Sequence, residues 1–429
     1  MNFLGPGAGS LGIAIIQAWI LLAITPGPKA EAADWPQFLG PNRDGVSAES
    51  FAFEAGFEPA TLWTREVGTG FGGPVVVGDR VILHYRRGNQ EVLEAWKVQD
   101  GSSLWTNAQP AVYRDDFGFD DGPRATPAVV DGRIFTLGAS GRLSCVTLAV
   151  GRVVWSVEAG KLLGAEKGFF GFACSPLVHR DLVLVSLGGK PGAGVAAFEV
   201  GTGKLRWKSG DHEAGYASPV LAELWGSTRA VFFTRDGLRI IDPTSGVAQC
   251  EYPWRSRQNA SVNAATPVVI DRQVFLSSSY GTGAILLDLQ TREPARVWSG
   301  DQSLSSHYAS VVHRDGSLFG FHGRQEQGTS LRCVAARTGQ VRWSHDGLGS
   351  GSVLMAGENL LVLSERGEWL AVDAKAPDFR VLARAQVLGT GTRAFPAIAD
   401  GRWFGRDPRQ LVAVDLRPRR GGTSKSNLR

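Results

Sequence analysis

"TPAVVDGRIFTLG", Thr126 to Gly138, is the stretch whose reading decides the fold. A small residue and a proline open it, an apolar run comes next, Asp131 and Gly132 make a turn, and a second apolar run leaves. Proline has no N–H to give a ladder, so it suits a first or edge position of a strand. Asp-Gly suits a two-residue hairpin turn that needs positive φ. The stretch therefore predicts a hairpin whose first strand begins at the proline.

The same pattern returns at roughly 45-residue intervals, the spacing of propeller blades. Copies start at Gly73 ("GPVVVGDRVIL"), Ser175 ("SPLVHRDLVLVSLG"), Ser218 ("SPVLAEL") and Thr266 ("TPVVIDRQVFLSSS"). Weaker ones start at Ala309 ("ASVVHRDGSLFGF"), Gly351 ("GSVLMAGENLLVL") and Phe395 ("FPAIADGRWFGR"), which makes eight with Thr126. Each leads to a third strand, a glycine turn and a tryptophan: Gly101 and Trp105, Gly151 and Trp155, Gly203 and Trp207, Gly339 and Trp343, with Trp254 and Trp298 ending longer versions. A tryptophan at a fixed slot supplies an apolar wedge between sheets that cannot bury both faces alone. The prediction is an all-β, eight-bladed β-propeller of four-stranded antiparallel blades.

The two ends of the repeat region complete each other. The eighth copy supplies three strands, through "QLVAVDL" (Gln410–Leu416), while "TLWTREVG" (Thr61–Gly68) is an orphan strand with Trp63 in the expected slot. Joining them closes the ring and removes an exposed edge. The expected organisation is a signal peptide at 1–33, a strap at 34–60 that begins "DWPQFLGPNRDGVS", the propeller at 61–416 and a basic, disordered tail at 417–429. The leader reading rests on the apolar run Leu11–Ile24, which is too short to span a bilayer, and on an A-x-A pattern at Ala30–Ala32. It implies a periplasmic or secreted protein with no integral membrane segment after cleavage; the lack of Lys or Arg before the apolar run leaves an uncleaved anchor as the alternative.

Composition narrows the function classes. The chain has 429 residues, 43% of them hydrophobic, with 55 Gly and 13 Trp, which one repetitive architecture accommodates. The net charge of +4 comes without a basic stripe interleaved with aromatics, so nucleic-acid binding is not expected. Four cysteines, Cys145, Cys174, Cys250 and Cys333, stand far apart and read as buried free thiols. "GAGVAA" (Gly192–Ala197) fits a dinucleotide fingerprint, but it precedes a blade strand and no helix comes after it. No G-x-S-x-G elbow occurs, and no catalytic residue is assigned.

Propeller ligands meet loops at one mouth of the channel, and the residues just before each inner strand are the candidates. They are Arg124, Phe172, Tyr216, Asn263, His307 and Arg393, a set able to hold a planar anionic ligand by stacking and bidentate contacts. The acidic loop "YRDDFGFDD" reads first as a solvated charge run. Its sharper reading is a weak calcium site formed by Asp115, Asp116, Asp120 and Asp121.

"SPVL", "NAATPVVI", "VLSERGEWLAVD" and "AFEVGTGKLRW", preceded by the strap, resemble the bacterial PQQ-binding-like β-propeller repeat family, of the type familiar from planctomycete genomes. The resemblance covers nearly all of residues 34–416. It implies the eight-bladed quinoprotein frame. For function it implies two directions: a PQQ-dependent oxidoreductase using pyrroloquinoline quinone and calcium, or a non-catalytic, protein-binding scaffold like the propeller lipoprotein of outer-membrane β-barrel assembly. The adjacent cysteine pair usual in the quinoprotein dehydrogenases has no counterpart here, nor has the lipid-attachment cysteine of the lipoprotein. The expected function is an exported, monomeric scaffold that binds a small molecule or protein at one face, with the dehydrogenase as its alternative.

Overall fold

Every repeat start becomes the innermost strand of an antiparallel sheet in a computed structural model, which describes residues 34–54 and 56–418. These strands are Val75–Val77, Ala128–Val130, Leu177–His179, Val220–Leu224, Val268–Ile270, Val312–Arg314, Gly351–Ala356 and Ala397–Ala399. Each belongs to its own sheet, so eight blades stand around a channel. The leader and residues 419–429 of the tail lie outside the described residues.

Within a blade the two middle strands are buried on both faces, as in Leu182–Gly189, because neighbouring blades cover them. The outermost strand is covered on one side only and alternates, as in Val153–Glu158. "GAGVAA" lies on the strand Ala193–Glu199, with no helix behind it. All four cysteines are buried and free.

Ring closure takes the expected pairing. Ala60–Glu66 runs antiparallel to Gln410–Asp415, setting Trp63 opposite Ala413 and completing blade 8 with a strand from the other end of the chain. The junction with blade 1 is clamped by Arg406, 1% exposed, which donates to the carbonyls of Gly68 and Asp407.

The tryptophan slot is a bulge. The pairing of each outer strand shifts by one residue beside it, at Trp105, Trp155, Trp207, Trp298, Trp343 and Trp63. That extra residue turns the indole onto the next blade, where at every slot named but Trp343 its Nε1 donates to a carbonyl: Trp63 to Val98 at 2.9 Å, Trp155 to Val200 at 2.9 Å, Trp207 to Pro243 at 3.1 Å. The turn glycine of that next blade lies flat against the indole. A Cβ on Gly101 would stand 2.7 Å from Trp63, and one on Gly203 2.6 Å from Trp155. The glycine thus belongs to the following blade's turn because only a hydrogen fits there, and its positive φ (68° at Gly101) favours glycine a second time.

Two slots depart from the pattern. In blade 4 the bulged position is Cys250, not Trp254, which lies beyond the strand Ala248–Pro253. Trp225, from the blade's first turn, takes over the bond to blade 5, donating to Leu289 O at 2.9 Å. In blade 7 the slot holds Ala383.

The strap runs inside the channel. Trp35 exchanges backbone bonds with Val76 of blade 1 at 2.8 and 2.9 Å, and Val129 of blade 2 donates to Pro36 O at 2.8 Å. Arg43, 3% exposed, donates to Pro176 O at 2.9 Å and Ser175 O at 3.1 Å in blade 3. On the far side Met355 of blade 7 donates to Gly45 O, and Val46–Ser47 pairs in parallel with Met355–Ala356. Inner-strand edges that would otherwise face the channel are satisfied by this segment. It turns tightly through four positive-φ residues, Leu39, Gly40, Arg43 and Gly45, two of them glycines.

Candidate functional site

Above the strap the channel widens into a cup of about 190 Å³. Its floor is Phe38 of the strap, whose ring meets Phe395 edge-on at 5.1 Å. Its walls come from the loops that lead into the inner strands, including Phe71, Phe119, Phe170, Tyr216, Tyr308 and Phe395. Arg124, Tyr216, His307 and Arg393 of the expected residues line it.

Phe172 and Asn263 do not line the cup. Phe172 is 3% exposed and lies against Gly141 and Gly160 in the core between blades 2 and 3. Asn263, 2% exposed, donates its amide to the carbonyls of Thr234, Arg235 and Trp254 at 2.9, 3.3 and 3.1 Å. It is a loop staple, satisfied by backbone.

A belt of hydroxyls explains the Ser or Thr before the inner-strand prolines of blades 2, 3 and 4. Gly73 N donates to Thr126 Oγ1 (2.9 Å), Thr126 N to Ser175 Oγ (3.0 Å) and Ser175 N to Ser218 Oγ (3.0 Å), passing from blade 1 to blade 4. Thr266 N to Ser310 Oγ repeats the link from blade 5 to blade 6 at 3.2 Å. Each oxygen accepts from the blade before, which leaves its O–H free to donate. Ser175 and Ser218 carry these hydroxyls into the cup.

The guanidiniums are already partnered. Arg124 reaches Asp115 Oδ1 at 3.4 Å, in a pair whose side chains are 7% and 0% exposed, and donates to Asp120 O at 2.9 Å. Arg393 Nε lies 3.0 Å from Glu365 Oε1, which also accepts the Tyr308 hydroxyl. Gln325 closes this group: in the orientation that matches donors to acceptors, its nitrogen faces Tyr308 Oη and Glu365 Oε1 at 3.2 Å and its oxygen faces Arg393 Nη2 at 2.8 Å. The two arginines share Phe71, with guanidinium carbons 5.4 and 5.3 Å from its ring centre. Glu326 pairs with Arg324 at 3.3 Å. Three cations thus face three carboxylates, and the cup is neutral in balance. An anion gripped by either arginine would compete with the carboxylate that already neutralises it.

His307 shares a 2.7 Å hydrogen bond between Nε2 and Tyr280 Oη. Burial, then the Arg324 charge, holds its imidazole down at about 4, so it is neutral at pH 7. Tyr308 is pushed well up by burial and by Glu365, and keeps its proton as a donor. Tyr216 Oη accepts from Phe169 N at 2.8 Å and Phe170 N at 3.2 Å, which orders the phenylalanine loop.

The acidic loop engages its carboxylates separately. Asp120 accepts from Gly70 N and Gly122 N at 2.9 and 2.6 Å. Asp121 takes Arg114 and Asp115 N, Asp116 takes Lys167, and Asp115 takes Phe119 N and Arg124. Among the described residues no group of three or more His, Cys, Asp or Glu side chains is arranged to hold a metal ion. A calcium ion needs several converging hard oxygens, and the carboxylates at the cup are each claimed by a cation. The residues present do not fit a calcium-assisted quinone.

The cup residues missed in the sequence carry a signal after the fact. "FGGP", "FGFDDGPR" and "FFGFACSP" place phenylalanines a few residues before successive inner strands. Their role needs the ring, because only the channel gathers them.

Known proteins share this frame. The family model described as "Outer membrane protein assembly factor BamB" matches residues 99–326, more than half of the chain. BamB from Moraxella catarrhalis superposes with a TM-score of 0.62 at 15% identity, over 85% of this chain and 99% of that one. A quinohemoprotein alcohol dehydrogenase from Comamonas testosteroni gives 0.51 at 14% identity, over 91% and 82%. The computationally designed Ika8 protein gives 0.54 at 11% identity, over 85% and 99%. An assembly factor, an enzyme and a design share the frame at these identities, so the likeness carries the fold alone. No curated protein matches. No helix among the described residues is long and apolar enough to cross a membrane.

Proposed function

The chain belongs to the BamB-type family of PQQ-like β-propellers, and from that premise we propose that it is an exported, non-catalytic binding propeller that takes its ligand or partner at the strap-floored mouth. The observation that carries this reading is the neutral cup: aromatic walls, hydroxyl donors within reach, and every lining charge paired. A redox site would need a group to hold the cofactor's charge, and the two arginines placed for it are committed to Asp115 and Glu365. Arg124, Tyr216, His307 and Arg393 are in this reading wall residues that shape the cup and orient donors. The apolar leader favours an exported location, which lies on the same side as the family's outer-membrane assembly description.

The test is a titration of the purified protein with pyrroloquinoline quinone and calcium, followed by tryptophan fluorescence and by dye-linked oxidation of alcohols and sugars. The expected result is no turnover. Saturable quinone binding with turnover, both abolished by Arg393→Ala, would replace the scaffold reading with the dehydrogenase.

A further inference from the structure

We propose that the occupant of the cup is one uncharged aromatic ring, the side chain of a tyrosine on a partner polypeptide; this rests on the reading of the mouth as a binding face.

Size sets the first limit. A cavity of about 150 Å³ lined by apolar side chains accepts benzene. The cup, at about 190 Å³, has room for one ring with a small polar tip. The walls set the second. Phe119, Phe170, Tyr216 and Phe395 offer ring faces and edges to a ring between them. The belt gives the polar tip its partners, since the Ser175 and Ser218 oxygens accept backbone N–H groups and keep their own protons to donate. A phenol oxygen accepts such a proton. Charge sets the third limit, because the arginines, already paired one to one, offer no net field to an anion.

The rim identifies the source of the ring. Phe117 and Phe119 are 55% and 53% exposed, and they form a continuous cluster with Phe169 and Phe170, with ring centres 5.4 to 6.3 Å apart. The cluster runs from solvent into the cup wall through Phe119 and Phe170. A free small molecule seated in the cup would leave this patch wet. A polypeptide that inserts a tyrosine covers it with the flanking residues, as an anchor side chain with its surround does at a protein interface.

The experiment is ligand-observed NMR titration of the full protein with N-acetyl-tyrosine amide, 4-hydroxybenzoate and a capped, uncharged pentapeptide with central tyrosine. Ala173→Phe and Ala264→Phe each fill the cup from a half-buried wall position, and whichever keeps the wild-type melting curve serves as the blocked form. The expected result is blockable binding of the amide with a dissociation constant on the order of a millimolar, the range for a ligand of this size. 4-Hydroxybenzoate should bind at least about tenfold more weakly, and the pentapeptide about tenfold more tightly. Phe117→Ser should remove the peptide's advantage and leave the amide unchanged. Tighter blockable binding of the benzoate or of pyrroloquinoline quinone would overturn the neutral-ring inference while keeping the cup as a binding site. A peptide no tighter than the amide would overturn the polypeptide source. Blockable binding by none of these probes would overturn the inference and the proposed function together.

Discussion

At one end of the ring a single contact is copied at five junctions, a turn glycine against the tryptophan of the blade before (Gly101, Gly151, Gly203, Gly246 and Gly339); at the other end the lead-in loops present Phe71, Phe119, Phe170, Tyr216, Tyr308 and Arg393, a different environment almost every time. The first end solves one packing problem over and over. The second gathers unlike groups around a single point, where repetition would be useless. Stability should therefore be sensitive at the glycine end and tolerant at the mouth, and binding should show the reverse.

The largest expected effect comes from opening the ring. Deleting residues 34–68 removes the strap and the strand Ala60–Glu66, exposing the edge of Gln410–Asp415. Loss of a cooperative thermal transition is expected, and an unchanged melting curve would contradict the closure. Next come paired glycine substitutions at equal backbone cost. Gly151→Ala drives a methyl into Trp105, whereas Gly132→Ala has open space around it at a similar φ (68° and 70°). The first should cost about 3 kcal/mol or more and the second about 1 kcal/mol, read from denaturant midpoints.

The slots themselves refine this. Trp207→Ala should cost about 3–5 kcal/mol, and Cys250→Ala, at the equivalent bulge, about 1–2 kcal/mol because the blade 4 to blade 5 bond runs through Trp225. At the mouth, Phe117→Ser should change stability by less than about 0.5 kcal/mol.

The mouth also carries a pH dependence. His307 is held at about 4 by burial, against about 6.5 when unfolded. The unfolded chain therefore takes up the proton first as pH falls. Stability is full above about pH 6.5 and declines toward pH 4, by at most about 1.4 kcal/mol per pH unit from this residue. His322, also held at about 4 by burial and accepting from Ser305 N at 3.1 Å, acts in the same direction more weakly because solvent screens it. A His307→Gln variant should flatten the acid limb of the stability curve.

Legibility in the sequence divides along the same line. The proline starts, the glycine turns and the orphan strand at Trp63 are local patterns tied to backbone geometry, and all eight blades can be drawn from them. Trp254 misleads because spacing alone cannot reveal a bulge. The mouth is legible only by position. Counting back from each inner strand finds Arg124, Tyr216, His307 and Arg393, and it also picks Phe172 and Asn263, whose side chains turn into core and backbone. It cannot reveal that Asp115 and Glu365 neutralise the arginines, because those contacts span 9 and 28 positions and depend on loop shape. The hydroxyl before the proline is visible at Thr126, Ser175, Ser218 and Thr266, but its purpose needs two blades side by side.

The most direct measurement is photo-crosslinking in the native host with benzoylphenylalanine at Phe117 on the mouth and at Val247 in an outer turn of blade 4, positions 55% and 60% exposed. The account predicts a discrete protein adduct from Phe117 that disappears in the cup-filled variant, and none from Val247. Equal labelling from both positions, or an adduct from Val247 alone, would contradict it.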